Sequence, residues 1–224
     1  GTMGATRSVI LAIVLLGALA RLEELAAADL PLARAAAVEQ AALETHWVRS
    51  AAFLNRGNLD QHICGSDDAV LPAHTASFER QFKREKSDRA FLDGAASVQI
   101  VIARDEEAAR EEFAAVRLPG YLDCAREVAD REIGRWMKGR LAPVESMLVE
   151  TASVEGVDDG IRSLFHAEVK LPGGHRNAWL TLVRLRQGRV IVRMPIIEFG
   201  VVQHPKVVDD VIEAEIEALR AADP

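Results

Sequence analysis

Residues 177–194, NAWLTLVRLRQGRVIVRM, decide the fold of this 224-residue chain. Apolar and polar side chains alternate along the stretch with the period of a β-strand, and Gln187-Gly188 divides it into two halves. A two-residue connection that contains glycine is typical of a β-hairpin. Pairing Leu185 with Val190 across this turn sorts the side chains onto two faces. The predicted core face consists of Trp179, Thr181, Val183, Leu185, Val190, Val192 and Met194.

Similar patterns predict the elements that surround the hairpin. Alternation predicts strands around 78–82, at 95–103, at 144–154 and at 161–171. Helical spacing predicts a helix capped by Asp105, a second helix after Leu118-Pro119-Gly120, and a last helix that begins near Pro205. We therefore predict an α+β fold, in which a single curved, mostly antiparallel sheet is covered by helices on one face and carries an N-terminal helical extension.

The chain divides into three predicted parts: an apolar segment at 1–20, a helical extension at 21–54 and an α+β domain at 55–224. Residues 8–20 carry no charge and follow Arg7, which is typical of a secretory signal. As a helix this run would span only about 20 Å, short of the roughly 30 Å bilayer core. Two alternatives remain open, an apolar helix of the fold and a membrane anchor completed by its neighbours.

Cys64 and Cys124 are the only two cysteines. An even, minimal count downstream of a secretion-like N-terminus predicts one structural disulfide and an extracytoplasmic location. Two alternatives are a zinc site that uses the two cysteines with His62 and His74, and a catalytic thiol with a histidine base. Because the sequence has no paired CxxC ligands and no thiol-enzyme signature, we predict neither a metal nor a cofactor.

Charge limits the partners that the chain can bind. The formal net charge of −7 argues against nucleic acid, which requires a concentrated basic surface. Four arginines nevertheless share the hairpin face opposite the predicted core: Arg184, Arg186, Arg189 and Arg193. In the predicted register Arg186 faces Arg189, which is unfavourable unless something compensates. Either neighbouring carboxylates do so, or the face binds an anionic partner such as a phospholipid headgroup, an acidic glycan or an acidic protein surface.

No set of residues predicts catalysis. The paired carboxylates, such as Glu111-Glu112 and Asp158-Asp159, are neighbours in sequence and point in different directions on a helix or strand. We therefore predict no catalytic residue and expect that the chain is not an enzyme.

The order of these features resembles the extracytoplasmic sensor-type domains of actinobacteria. The resemblance rests on a cysteine before two strands, a helix start at 105–109, a second helix with the partner cysteine, the hairpin at 183–190 and a C-terminal helix. The resemblance covers about 26–220 of this chain. The family includes the external sensor domain of membrane-anchored serine/threonine kinases and related secreted proteins. The chain lacks the second disulfide of the kinase domains, and no lipobox cysteine follows its apolar run.

The resemblance implies a non-catalytic cell-envelope domain that binds an unidentified small or lipidic ligand or signal. The alternative is an accessory subunit of a membrane-associated complex in the envelope. The expected partners are accordingly a lipid or an envelope protein, with membrane association through residues 8–20.

Overall fold

The computed structural model describes residues 27–43, 47–49, 74–85, 92–136, 146–171, 174–200 and 205–222. The strands are β1 (Trp47–Arg49), β2 (His74–Glu85), β3 (Leu92–Ala103), β4 (Ser146–Ser153), β5 (Asp159–Leu171), β6 (Gly174–Gln187) and β7 (Val190–Gly200). The helices are α1 at 27–36, α2 (Glu106–Ala115), α3 (Pro119–Trp136) and α4 (Pro205–Ala222), with a 3-10 turn at Gln40–Ala42. None of these described helices combines the length and the apolar character needed to span a bilayer.

The seven strands form one open, curved antiparallel sheet in the order β1-β2-β3-β7-β6-β5-β4. All neighbours pair antiparallel, and the β3–β7 pair alone joins strands that are not consecutive in the described chain. The predicted α+β class and the curved antiparallel sheet are confirmed.

Helices cover both faces of the sheet, which differs from the predicted single covered face. Along β7, Val190 and Val192 pack with α1 and α4, on what we name the α4 face. The alternate residues Ile191 and Ile197 pack against α2 and α3, on what we name the α3 face. The physical reason is that both faces of the central strands are apolar, so each needs a cover to exclude water.

The hairpin turns one residue later than predicted, at Gly188-Arg189, so that Gln187 pairs with Val190 and Leu185 with Val192. Gly188 has a φ of 55°, the conformation that a tight hairpin turn requires and that glycine adopts without strain. The two-residue change in pairing keeps each side chain on its predicted face but gives every residue of the hairpin a different cross-strand partner. Arg186 lies opposite Ile191, so the predicted Arg186–Arg189 opposition is wrong.

The N-terminal region is not one continuous helix. The described part of α1 ends at residue 36, and Trp47–Arg49 forms β1, in which Trp47 pairs with Arg84 and is buried. The reason is a tertiary contact, because the Arg80 guanidinium donates 2.8 Å hydrogen bonds to the carbonyls of Ala37 and Val38. The helical extension predicted at 21–54 is corrected accordingly, while residues 1–20 lie outside the described residues.

Candidate functional site

Arg186 is buried at the end of the sheet that carries the β6–β7 turn. Its Nε donates to Asp159 at 2.7 Å, and its Nη1 donates to Asp158 at 3.3 Å and to the Gly188 carbonyl at 3.1 Å. The Gly188 N–H also donates to Asp158, at 2.8 Å. This arginine therefore fastens the β4–β5 turn to the β6–β7 turn.

Arg189 binds a carboxylate on a different element. Its Nη2 donates to Asp29 of α1 at 2.6 Å, and Nη1 donates to the other oxygen of the same carboxylate at 3.3 Å. The Thr75 hydroxyl donates to Asp29 as well. Because the Asp29 side chain is only 5% exposed, these contacts anchor α1 onto the ends of β2 and β7.

Arg193 forms a three-residue network on the α3 face. It donates to Glu112 of α2, whose second carboxylate oxygen lies 2.5 Å from Nε2 of His74. Burial acts to raise the pKa of Glu112, but the His74 hydrogen bond and the Arg193 charge outweigh it and lower the pKa to about 2. Glu112 is therefore ionised at neutral pH and holds α2 on the sheet.

Arg184 differs from the other three arginines. It lies directly opposite Arg193 on the α3 face, is half-buried, and forms no ion pair with any described residue. Carboxylates thus compensate three of the four arginines, as the first of the two sequence alternatives states. Docking of an anion on the whole face stays a prediction, and Arg184 is the member whose charge is available for it.

We expect Arg186→Gln to lower the free energy of unfolding by about 2–3 kcal/mol, because it strips Asp158 and Asp159 of a buried charged donor. The estimate lies at the low end for a buried pair, since both carboxylates keep some solvent contact. Urea unfolding measures the change. The matched control, Arg184→Gln, should change stability by less than about 0.5 kcal/mol. A larger loss in the control than in Arg186→Gln would contradict the hairpin register.

A buried carboxyl group lies on the opposite, α4 face. Glu215 of α4 has no exposed surface, and its Oε2 accepts a 2.8 Å hydrogen bond from the Val38 N–H. Its Oε1 has no hydrogen-bond partner. Burial raises the pKa of Glu215 to about 8, against the lowering effects of the Val38 N–H and the Arg80 charge. The contact joins α4 to the segment that follows α1.

The predicted cysteine site is only half described. Cys124 lies in α3 and packs, partly buried, against the apolar cluster of the α3 face. Cys64 and His62 lie outside the described residues, so the disulfide stays a prediction. His74, the remaining member of the alternative zinc set, bonds to Glu112. Within the described ranges no three His, Cys, Asp or Glu side chains are grouped as metal ligands.

An open groove of about 230 Å³ lies between α4 and the β4–β5 hairpin, and we name it the side groove. Its apolar walls come from Val154, Ile212 and Ile216. Its polar lining consists of Ser153, Glu155, Arg162, Asp209 and Glu213.

The side groove is acidic. Arg162 is the one cation in the lining, and its Nη1 already donates to Asp209 at 2.7 Å while Nη2 lies 3.8 Å from Glu150. Glu155 and Glu213 are exposed and form no ion pair with any described residue. Arg220 lies at the end of α4 and donates to the Gly156 carbonyl at 3.0 Å. The uncompensated carboxylates of Glu155 and Glu213 give the groove a negative charge that favours a cationic group.

Sequence reasoning missed the side groove. Its two sides come from 153–162 and 209–216, which are remote in the chain and carry no motif. Glu215 was the one detectable signal on α4, because it interrupts the apolar helical series of Val208, Val211 and Leu219. A carboxyl group in an apolar stripe indicates a buried titratable side chain, although it does not indicate the groove beside it.

Comparison with known proteins identifies no family. No family model matches the chain, and no curated protein matches it.

Two solved structures have a limited likeness in fold. The extracellular domain of PknH from Mycobacterium tuberculosis matches with a TM-score of 0.36 and 8% identity, covering 63% of this chain and 64% of that one. The Ran-binding protein Mog1p of Saccharomyces cerevisiae matches with a TM-score of 0.24 and 11% identity, covering 64% and 73%. The chain thus spans less than two thirds of the PknH domain. Scores this low support no conclusion about the location, the role or the ligands of this chain.

Proposed function

We propose that the chain is a non-catalytic binding domain of the cell envelope, and that its ligand lies in the side groove. The observation that supports this function is the groove itself, a concave site with apolar walls and the two uncompensated carboxylates Glu155 and Glu213. The four-arginine face is a weaker candidate for the ligand site, because three of its arginines already form ion pairs with carboxylates.

The size of the groove limits what enters it. Its 230 Å³ lies below the roughly 300–1,000 Å³ typical of sites that enclose a drug-sized ligand. A small ligand, or one group of a larger ligand, fits this volume. The acidic lining disfavours the anionic headgroup of a lipid, since like charges repel at close range.

The surroundings of the described histidines favour binding over catalysis. His74 is bonded to Glu112, and His166 is bonded to Asn177 at 2.8 Å while its ring stacks on Trp179. Neither of these histidines has a described hydroxyl or thiol nucleophile within hydrogen-bond reach. A general base acts only when a nucleophile or substrate proton lies that close, so neither His74 nor His166 forms such a pair with a described residue.

Ser153→Trp tests the proposed site, because Ser153 is exposed at the groove and an indole there would fill the space without entering the core. We expect native mass spectrometry to find a bound species on the wild-type chain purified from its source and to find it lost from Ser153→Trp. The matched control is Ser77→Trp, which adds the same side chain at an exposed position on β2. Retention of the species by Ser153→Trp would place the ligand elsewhere.

A second function, that of an interaction subunit, has its own supporting observation. Met147 and Val149 on β4 are 59% and 54% exposed. They supply two of the four large apolar side chains that are exposed in the described ranges, and both lie on a strand at the edge of the sheet. If the wild-type chain co-purifies with a protein and without a small molecule, this function is favoured.

A further inference from the structure

We propose that the side groove and the free edge of β4 together bind an extended, basic segment of a partner protein. The segment adds to the sheet beside β4 and inserts a lysine or arginine side chain between α4 and the β4–β5 hairpin. This inference rests on the proposed binding function of the groove and names the class of ligand that occupies it.

β4 forms an edge of the sheet. β4 is the last strand in the order and pairs with β5 alone among the described strands. At its first residue the Ser146 N–H and carbonyl bond to Asp130 and Arg126 of α3, so the part of the edge open to a new strand lies beyond Ser146. Ser146–Ser153 contains no lysine or proline, two residues that commonly protect such an edge, and its own protection comes from the charge of Glu150 and an irregularity at Val149. A register shift at Val149 interrupts the ladder, which leaves 150–153 as the regular stretch for pairing.

The side groove lies at the end of that edge. Ser153 ends β4 and also lines the side groove, together with Val154 and Glu155. A strand laid along 150–153 therefore brings its side chains to the groove. In strand addition, main-chain hydrogen bonds supply affinity while pockets for individual side chains supply specificity.

The lining of the side groove is chemically complementary to a basic side chain. A lysine or arginine side chain has an apolar stem and a charged end. The stem matches Val154, Ile212 and Ile216, and the charged end matches the carboxylates of Glu155 and Glu213. A volume that is small for a whole ligand suits one such side chain.

A second copy of the chain fits this surface less well. Pairing β4 with the β4 of another copy would place SMLVETAS beside the groove, a sequence with one glutamate and no basic residue. That arrangement adds negative charge to an acidic site. The charge therefore favours a basic partner over self-association.

The test measures binding of a fluorescein-labelled peptide of about eight residues, alternating lysine and valine, to the full chain by fluorescence anisotropy. The groove variant is Glu155→Gln combined with Glu213→Gln. The matched control is Glu111→Gln combined with Glu127→Gln, which removes the same charge from exposed positions on α2 and α3, at the other face.

We expect saturable binding that weakens from low to physiological salt, and a Kd about fivefold to tenfold higher for the groove variant. The control variant should bind as the wild type does. A peptide of alternating glutamate and valine should not bind. The lysine peptide methylated at alternate amide nitrogens, on the series that faces β4, should also fail to bind, because strand addition needs those N–H groups.

Equal losses in the groove and control variants, or equal binding of the methylated peptide, would overturn the inference, since either result means non-specific attraction. No binding of the lysine peptide would overturn it as well. If Ser153→Trp nevertheless removes a bound species from the purified chain, the proposed function stands and only the ligand class is wrong. If both experiments fail, the groove is not the site.

Discussion

Glu215→Gln should raise the free energy of unfolding at pH 9 by about 3–5 kcal/mol, the largest effect that we expect from a conservative change in this chain. The carboxyl group is fully buried, and its pKa is raised from 4.5 to about 8 by that burial. Glutamine keeps the oxygen that accepts from the Val38 N–H and never ionises.

The pH dependence of folding stability at Glu215 follows from the proton that this carboxyl group binds. Between pH 4.5 and about 8 the folded chain keeps the Glu215 proton while the unfolded chain loses it. The contribution of Glu215 to folding stability is therefore fully present below pH 4.5, falls as the pH rises through this window, and levels off above the folded pKa. The charged groups around the carboxyl limit the fall, because Arg80 lies close enough to lower the pKa and is itself paired with Glu39 at 2.8 Å.

Urea unfolding at pH 5, 7 and 9 measures the effect. The wild type should lose stability across this series, and Glu215→Gln should lose much less. Glu213→Gln is the matched control, because it removes an exposed carboxylate from the same helix and should follow the wild type. A wild-type stability that does not change with pH would contradict the buried, protonated state of Glu215.

Phe165→Ala should destabilise the fold by about 3–5 kcal/mol, the usual cost of an unfilled cavity in a packed core. Phe165 lies on β5, has no exposed surface and belongs to the apolar cluster beneath α3. The neighbouring Leu164 is half-buried and faces the other side of the sheet, so Leu164→Ala should cost clearly less. Thermal or urea unfolding compares the two. A larger loss for Leu164→Ala would mean that β5 presents the opposite face to α3.

The strand faces could be predicted from the sequence because a strand alternates strictly. Val183, Leu185 and Val192 each adjoin an arginine, which points to the other face, and all three lie in the predicted core. The same alternation supports either pairing of the hairpin, since a two-residue change keeps each side chain on its face. The turn conformation at Gly188, which sequence periodicity does not encode, selects between them.

The end of α1 could not be predicted, because an alanine-rich segment favours helix wherever nothing competes. The competing contacts come from Arg80 on β2 and Glu215 on α4, which are remote from Val38 in the chain. The side groove was unpredictable for the same reason. Neither of its sides has a pattern of its own, and only the packing of α4 on the sheet brings them together.

The place of β3 beside β7 determines how the molecule can assemble. Within β2–β3 and within β4–β5–β6–β7, each strand pairs with its neighbour along the chain. The β3–β7 pair is different, because Gly94 of β3 lies opposite Glu198 of β7, roughly a hundred residues later. Closing that span costs more chain entropy than forming either set of hairpins. Folding should therefore build two half-sheets early and join them late, with non-local closure limiting the rate. Until they join, β3 and β7 present open apolar edges, and the newly made chain is most prone to aggregate in this interval.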